Sequence, residues 1–292
     1  MVCLFLTASF LLPAIAVEPD RVTPLKVMSF NIRYGKAKDG NNHWDKRRQL
    51  VAETIRVFGP DLLGLQECLD FQGEFLREQL SDYTFHGVGR EDGGLEGEFV
   101  PVMYKTERFE LVESGHYWLS ETPDVAGSKS WDSSLPRMVS WVRLKDRLDP
   151  ESDSFVFANA HFDHKGAEAR YESARLMWRQ HLAGKPEEAV ILTGDFNAGE
   201  GSDPYQALVE GAGQRKEGEQ PLIDSFRAIH LEQMPDESTL TKWSGNRLGA
   251  RIDWVLHSDE FMTLSAAINY SNNAGQYPSD HYPVQAVVRR SQ

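Results

Sequence analysis

The run Ala189-Val190-Ile191-Leu192-Thr193-Gly194-Asp195-Phe196-Asn197 constrains this chain more than any other stretch. Its opening residues are apolar on both alternating faces, so the strand they form must be covered on both sides. That demands a layer on each face of a sheet. The run then ends in a carboxylate and a carboxamide two residues apart. Period-2 alternation points Asp195 and Asn197 the same way and Phe196 the other. A buried sheet is delivering two polar groups to one rim.

A chain of 292 residues, 40% of them hydrophobic, can bury one large core. Its net charge of −13 excludes broad adhesion to duplex nucleic acid or anionic lipid, which needs a basic face. A substrate phosphate reached through a metal ion stays open. The N-terminal MVCLFLTASFLLPAIA is apolar and ends in Ala14-Ile15-Ala16, the pattern of a cleaved export signal over residues 1–16. Pro13 and Glu18 keep it shorter than the ~20 apolar residues of a membrane span. Export to the periplasm or the medium is expected, with a linker over 17–24 and one domain over 25–292. Cys3 lies in the leader, which leaves Cys68 alone and excludes a disulfide framework.

Strand patterns run from Leu25 to Ile32, Leu62 to Gln66, Val100 to Tyr104, Phe109 to Glu113, His116 to Leu119, Met138 to Leu144 and Phe155 to Ala160. Further strands are predicted at Ile252 to Leu256, Leu264 to Ile268 and Val284 to Val288. Arg47, Leu50, Val51, Thr54, Ile55 and Phe58 recur at helical spacing, with Asp45 as the expected cap and Gly59-Pro60 as the stop. Helices are also predicted at Phe71 to Leu80, Ala167 to His181 and Pro204 to Glu210. Strands interleaved with a few helices predict two packed, mainly antiparallel sheets flanked by helices, a four-layer α/β sandwich.

Polar residues gather where the strands end: Asn31, Glu67, His161, Asp195, Asn197, Asp253 and the pair Asp280-His281. Each alone has a bland explanation as a turn former or an internal ion pair. Together they are the parts for holding a hard cation and attacking a phosphoryl group. Mg²⁺, or Mn²⁺ in its place, takes a few oxygen ligands and neutralises phosphate charge. A carboxylate to activate water and a cationic imidazole against the developing charge complete the set.

The order N…QE…NxH…GDFN…D…SDHxP, carried by MSFNIRYG, LQE, NAH, GDFN and SDHYP, resembles the endonuclease/exonuclease/phosphatase superfamily, with the deoxyribonuclease I-like fold. The likeness spans Val27 to Val288. It implies that Glu67 is the principal metal ligand, with Asn31 and Asp280 completing or adjoining the site. It implies that Asp195 orients or deprotonates water, that Asn197 positions the phosphate, and that Asp253 holds His281 in its tautomer. By the same resemblance His161 faces the phosphate and pairs with Glu98, which would keep both imidazoles cationic. Blocks such as DGNNHWDKR and AHFDHKGAEARYESA look like a bacterial exported branch similar to nocturnin and the mRNA deadenylases.

Around this centre, Arg90 and Arg137 are expected to fork onto a phosphate, Asp163 and His164 to touch a sugar or second phosphate, and Trp44 and Trp131 to stack a base or sugar. Trp118, Trp141, Trp178 and Trp254 are expected in the core. A monomeric phosphodiesterase acting on nucleic-acid ends or nucleotides is the leading expectation, as a 3′–5′ exonuclease on RNA or single strands. A phosphatase on sugar phosphates, inositol phosphates or lipid head groups stands second. A binding module that lost its catalysis stands last, since Glu67, Asp195 and His281 are all present.

Overall fold

The computed structural model describes residues 23–185, 188–213 and 221–291. The expected leader over 1–16, and most of the linker, lie outside the described residues. One sheet holds β1 (Leu25–Asn31), β2 (Leu62–Gln66), β3 (Tyr83–His86), β4 (Val102–Lys105), β11 (Phe261–Ile268) and β12 (Val284–Arg290), in the order β11-β12-β1-β2-β4-β3. The other holds β5 (Phe109–Trp118), β6 (Met138–Asp146), β7 (Phe155–His161), β8 (Val190–Asp195), β9 (Ile223–Asp224) and β10 (Asp253–His257), in the order β5-β6-β7-β8-β10-β9. Only β1–β2 and β7–β8 pair in parallel among them.

Helices α1 (Trp44–Phe58) and α2 (Asp70–Gln79) cover the outer face of the first sheet, packing Trp44, Val51, Ile55 and Leu76 against Met28, Phe30, Leu63 and Leu65. Helices α3 (Ala167–His181) and α4 (Asp203–Glu210) cover the second, packing Met177, Trp178 and Leu208 against Val156, Ala158, Val190 and Leu192. The short α5 (Ser225–Ile229) leads out of β9. The four-layer sandwich is thus as expected. Among the described residues no helix is long and apolar enough to cross a membrane.

Several local details differ from the sequence reading. The two strands expected at 109–113 and 116–119 are one strand, β5, with a bulge between Leu111 and Glu113. Strands β3 and β9 were not anticipated. The cap of α1 is His43, whose side chain accepts from the Asp45 amide, while Asp45 itself sits in the first turn.

Alternation builds the space between the sheets. Leu25 and Val27 of β1, Leu62 of β2, Phe155 and Phe157 of β7, Ile191 of β8 and Val255 of β10 pack there as one apolar cluster. Further along the same parity come Ser29, Gly64, Gln66, Asn159 and Thr193. Gln66 Nε2 donates to Asn159 Oδ1 at 2.7 Å, and Thr193 Oγ1 donates to the same oxygen at 3.1 Å. One step on lie Asn31, His161 and Asp195, and beside them Asp253. The layer grades from hydrocarbon through neutral hydrogen bonds to ionisable groups, and the site forms where hydrocarbon runs out.

Gly64 sets how closely the sheets approach. A Cβ there would meet Thr193 Oγ1 at 2.1 Å and Asn159 Oδ1 at 2.5 Å. Gly64→Ala is expected to destabilise the fold by about 1–3 kcal/mol, the usual cost of overpacking. Urea denaturation checks this, and an unchanged midpoint would contradict the packing described.

Candidate active site

Asn31, the last residue of β1, ties the two sheets together at the rim. Its Nδ2 donates to Glu67 Oε1 at 3.0 Å and to Asp195 Oδ2 at 2.9 Å, while its Oδ1 accepts from the Arg33 amide. Glu67 Oε2 accepts from the Tyr34 amide at 2.6 Å. Glu67, Arg33 and Asn197 all hold left-handed backbone, with φ of 58°, 63° and 48°. Such conformations cost non-glycine residues about 1–3 kcal/mol each and gather where the surroundings enforce a functional geometry.

Asp195 is buried at the centre. Burial, reinforced by the Asp253 carboxylate, pushes its carboxyl up to about 7, against the opposing pull of His281 and the Asn31 bond. Its Oδ1 accepts from the Asn197 amide, and Asn197 Nδ2 donates to the Phe162 carbonyl. His281 Nδ1 lies 2.9 Å from Asp253 Oδ2, and its Nε2 lies 3.8 Å from Asp195 Oδ2. Burial works against its charge, but Asp253 and Asp195 outweigh it and hold the imidazole well above its ordinary value. His281 is a buried cation.

The second histidine departs from expectation. Glu98 Oε2 stands 3.8 Å from His161 Nδ1, too far for a hydrogen bond. Glu98 instead accepts both Arg90 nitrogens, at 2.7 and 3.2 Å. Burial first, then the charges of Arg137, Arg90 and His281, push His161 well below its ordinary value. Those influences favour the neutral imidazole, where the resemblance implied a second cation. Its Nε2 lies 3.5 Å from Asp195 Oδ2.

A cleft of about 390 Å³ opens over these groups. Arg137, only 4% exposed, reaches it from the end of the 120–136 loop, next to β6. Its Nη2 is 3.0 Å from His164 Nδ1, and its Nε and Nη1 make no hydrogen bond. His164 lines the cleft as well. Four further expectations are corrected. Asp163 is consumed locally, accepting from the Ser134 amide and hydroxyl and from the Lys165 and Gly166 amides. Arg90 is locked to Glu98 and is not among the residues lining the cleft. Trp44 is 2% exposed and packs edge-on against Phe75 at 5.7 Å, so it serves the core. Trp131 is half-buried with φ 56° and is not among the residues lining the cleft. Arg33, Tyr34, Leu135, Leu240 and Ile252 do line it, unforeseen from sequence. Asp280 borders the site through an ion pair of 3.4 Å with Arg33, and burial pushes its carboxyl up.

Donor atoms of Glu67, His161 and Asp195 lie within 4.8 Å of one another, as do those of Asp195, Asp253 and His281. The second group is the histidine–carboxylate pair just described. The first, with the Glu67 and Asp195 oxygens, has the hard donors that suit Mg²⁺ or Mn²⁺.

Residues 28–281 match the model of the Endonuclease/Exonuclease/phosphatase family. The chain belongs to that family. It is therefore a phosphoester hydrolase, of a family whose enzymes depend on divalent metal. A mannosyl-6-phosphatase from Bacteroides thetaiotaomicron is 33% identical in sequence; the match covers 90% of this chain and 99% of that one, with a TM-score of 0.77. The CCR4-Not complex 3′-5′-exoribonuclease subunit Ccr4 of Emericella nidulans is 27% identical over 50% of this chain and 25% of its own. Human nocturnin is 20% identical over 90% of this chain and 64% of its own.

Proposed function

We propose that this enzyme removes phosphate from a small phosphomonoester, a sugar phosphate before all others. The observation that carries this reading is Arg137: a buried guanidinium lining a compact cleft, its Nη1 without a hydrogen bond and its Nε 3.6 Å from the Asp163 carboxylate. A terminal phosphate dianion presents three unsubstituted oxygens, enough to take a guanidinium fork while other groups attend the reacting centre. The cleft volume lies near the lower end of the roughly 300–1,000 Å³ typical of small-molecule sites. The burial of Trp44 removes one of the two stacking platforms that a single strand would use. The likeness to a mannosyl-6-phosphatase supports the same choice.

In this reading Arg137 and His161 bracket the non-bridging oxygens. Asp195, with a carboxyl near neutrality, takes a proton from the attacking water. The His281 cation, held by Asp253, faces the charge that develops as the P–O bond to the leaving group breaks. Mg²⁺ or Mn²⁺ held at Glu67, with Asp195 and Asp280 beside it, would supply Lewis-acid neutralisation of phosphate charge. The reading extends to a monomer exported by the segment 1–16.

The likeness to the exoribonuclease subunit favours a second reading, end-wise release of nucleotides from RNA or single strands. A panel of hexose phosphates, inositol phosphates, oligo(A) and single-stranded DNA, each with Mg²⁺ or Mn²⁺, separates the two. Free phosphate from sugars is expected, and nucleotides released from oligo(A) alone would sink the first reading. Arg137→Ala is expected to lower kcat/KM on the preferred monoester about 10- to 100-fold, the worth of a charge-assisted hydrogen bond of roughly 1.5–3 kcal/mol.

A further inference from the structure

Between α5 and β10 the chain runs without helix or strand, yet Glu237, Ser238, Thr239 and Thr241 are buried. Thr239, fully buried, sits between the two pieces of backbone that carry Asp253 and His281. Its hydroxyl oxygen accepts from the Ile252 amide at 3.0 Å and from the Asp253 amide at 3.3 Å. Its carbonyl accepts from the Tyr282 amide at 2.7 Å. Leu240 forms an antiparallel bridge with His281, and the Thr241 amide donates to the Asp280 carbonyl at 2.6 Å.

We propose that Thr239 is a positioning residue for the Asp253–His281 pair: its hydroxyl sets the start of β10, its carbonyl and the backbone of Leu240 and Thr241 after it set residues 280–282, and the spacing between them is the spacing of the ion pair. This rests on the reading that Asp253 and His281 carry the hydrolysis. A hydroxyl has two acceptor lone pairs, so one oxygen can serve both amides at the entry to the strand.

The anchoring continues away from the site. Glu237 Oε2 accepts from Arg227 Nη2 at 2.6 Å, and Arg227 also donates twice to Glu200, both at 2.8 Å. Glu200 in turn accepts from Arg251 Nη2 at 3.0 Å. Glu200 is three residues beyond Asn197, and Arg251 two before Asp253. The segment 237–241 therefore hangs from the same ion network that fixes the loop after β8 and the approach to β10. A displacement of Thr239 is passed to the pair directly, with no flexible link between.

The test compares Thr239→Val, which keeps the shape and loses the acceptor, with Thr239→Ser, which keeps the acceptor. Thr239→Cys, whose sulfur accepts weakly, serves as the second variant should valine prevent folding. Full-length protein with Mn²⁺ and para-nitrophenyl phosphate is assayed well below each Tm. Thr239→Val is expected to lose about 10- to 100-fold in kcat, the effect of a small misplacement at a reacting centre, with KM within about twofold. The Nδ1 proton of His281 should shift in the proton NMR spectrum, and Thr239→Ser should restore both. A Thr239→Val enzyme that melts earlier but keeps its kcat overturns the proposal. Equal impairment by serine and valine overturns it too, because volume would then matter and not the hydroxyl. A His281→Ala control that still turns over would overturn the functional reading beneath, and Thr239's role with it. An inactive control beside a fully active Thr239→Val overturns Thr239's role alone.

Discussion

His281→Ala is expected to reduce kcat about 10³- to 10⁵-fold, combining the loss of a positioned acid–base group with the loss of a fixed charge. The imidazole is the cation that two buried carboxylates, Asp253 and Asp195, jointly maintain. Without it the two carboxylates are left beside each other with no cation between them, and Asp195 would bind a proton even more readily than it already does. Removing one member of a buried ion pair also costs about 3–5 kcal/mol of stability, so the variant should melt earlier. Assays are therefore run on protein shown by circular dichroism to be folded. Turnover within tenfold of the wild type would remove His281 from the chemistry.

Glu67→Gln is expected to act on the metal first. The substitution keeps the volume and one carbonyl oxygen but removes the charge, and its amide N–H groups now confront either Asn31 Nδ2 or the Tyr34 amide, both donors. Affinity for Mn²⁺ should fall by at least about 100-fold, taking the upper end of what lost supporting contacts cost as a floor for a direct ligand. The readout is the rise of Tm with Mn²⁺ concentration, which follows binding by mass action. A titration superimposable on that of the wild type would show that Glu67 is no ligand, whatever happens to activity.

The fold was legible because most strands carry their alternation openly. In β8, the change from Ile191 to Asp195 on one face announces both a covered sheet and a polar rim. Most of the residues that converge there are legible for the same reason: Asn31, Glu67, His161 and Asp195 end or follow apolar strands, while Asp253 opens one and Asp280-His281 precede one. What was not legible depends on partners distant in sequence or on short-range competition. Trp44 follows a polar loop, and only Phe75 on another helix shows that it is interior. Glu98 was paired with His161, but Arg90 on the same glycine-rich loop offers two charged donors and takes it. Asp163 looked free until the turn it organises supplied its donors. Thr239 had no periodicity to betray it, because the segment around it forms neither helix nor strand.

The graded layer between the sheets separates what keeps the chain folded from what the chain acts upon. Phe155, Phe157, Ile191 and Val255 hold the two sheets together at one end, and none of the groups named in the chemistry belongs to that cluster. Leu135, Leu240 and Ile252, which wall the cleft at the other end, come from loops and a strand entry, and none belongs to it. Substitutions in those three side chains are therefore expected to change which leaving group fits before they disturb that cluster. That freedom is one physical route by which a single architecture comes to serve sugars in one lineage and nucleotides in another.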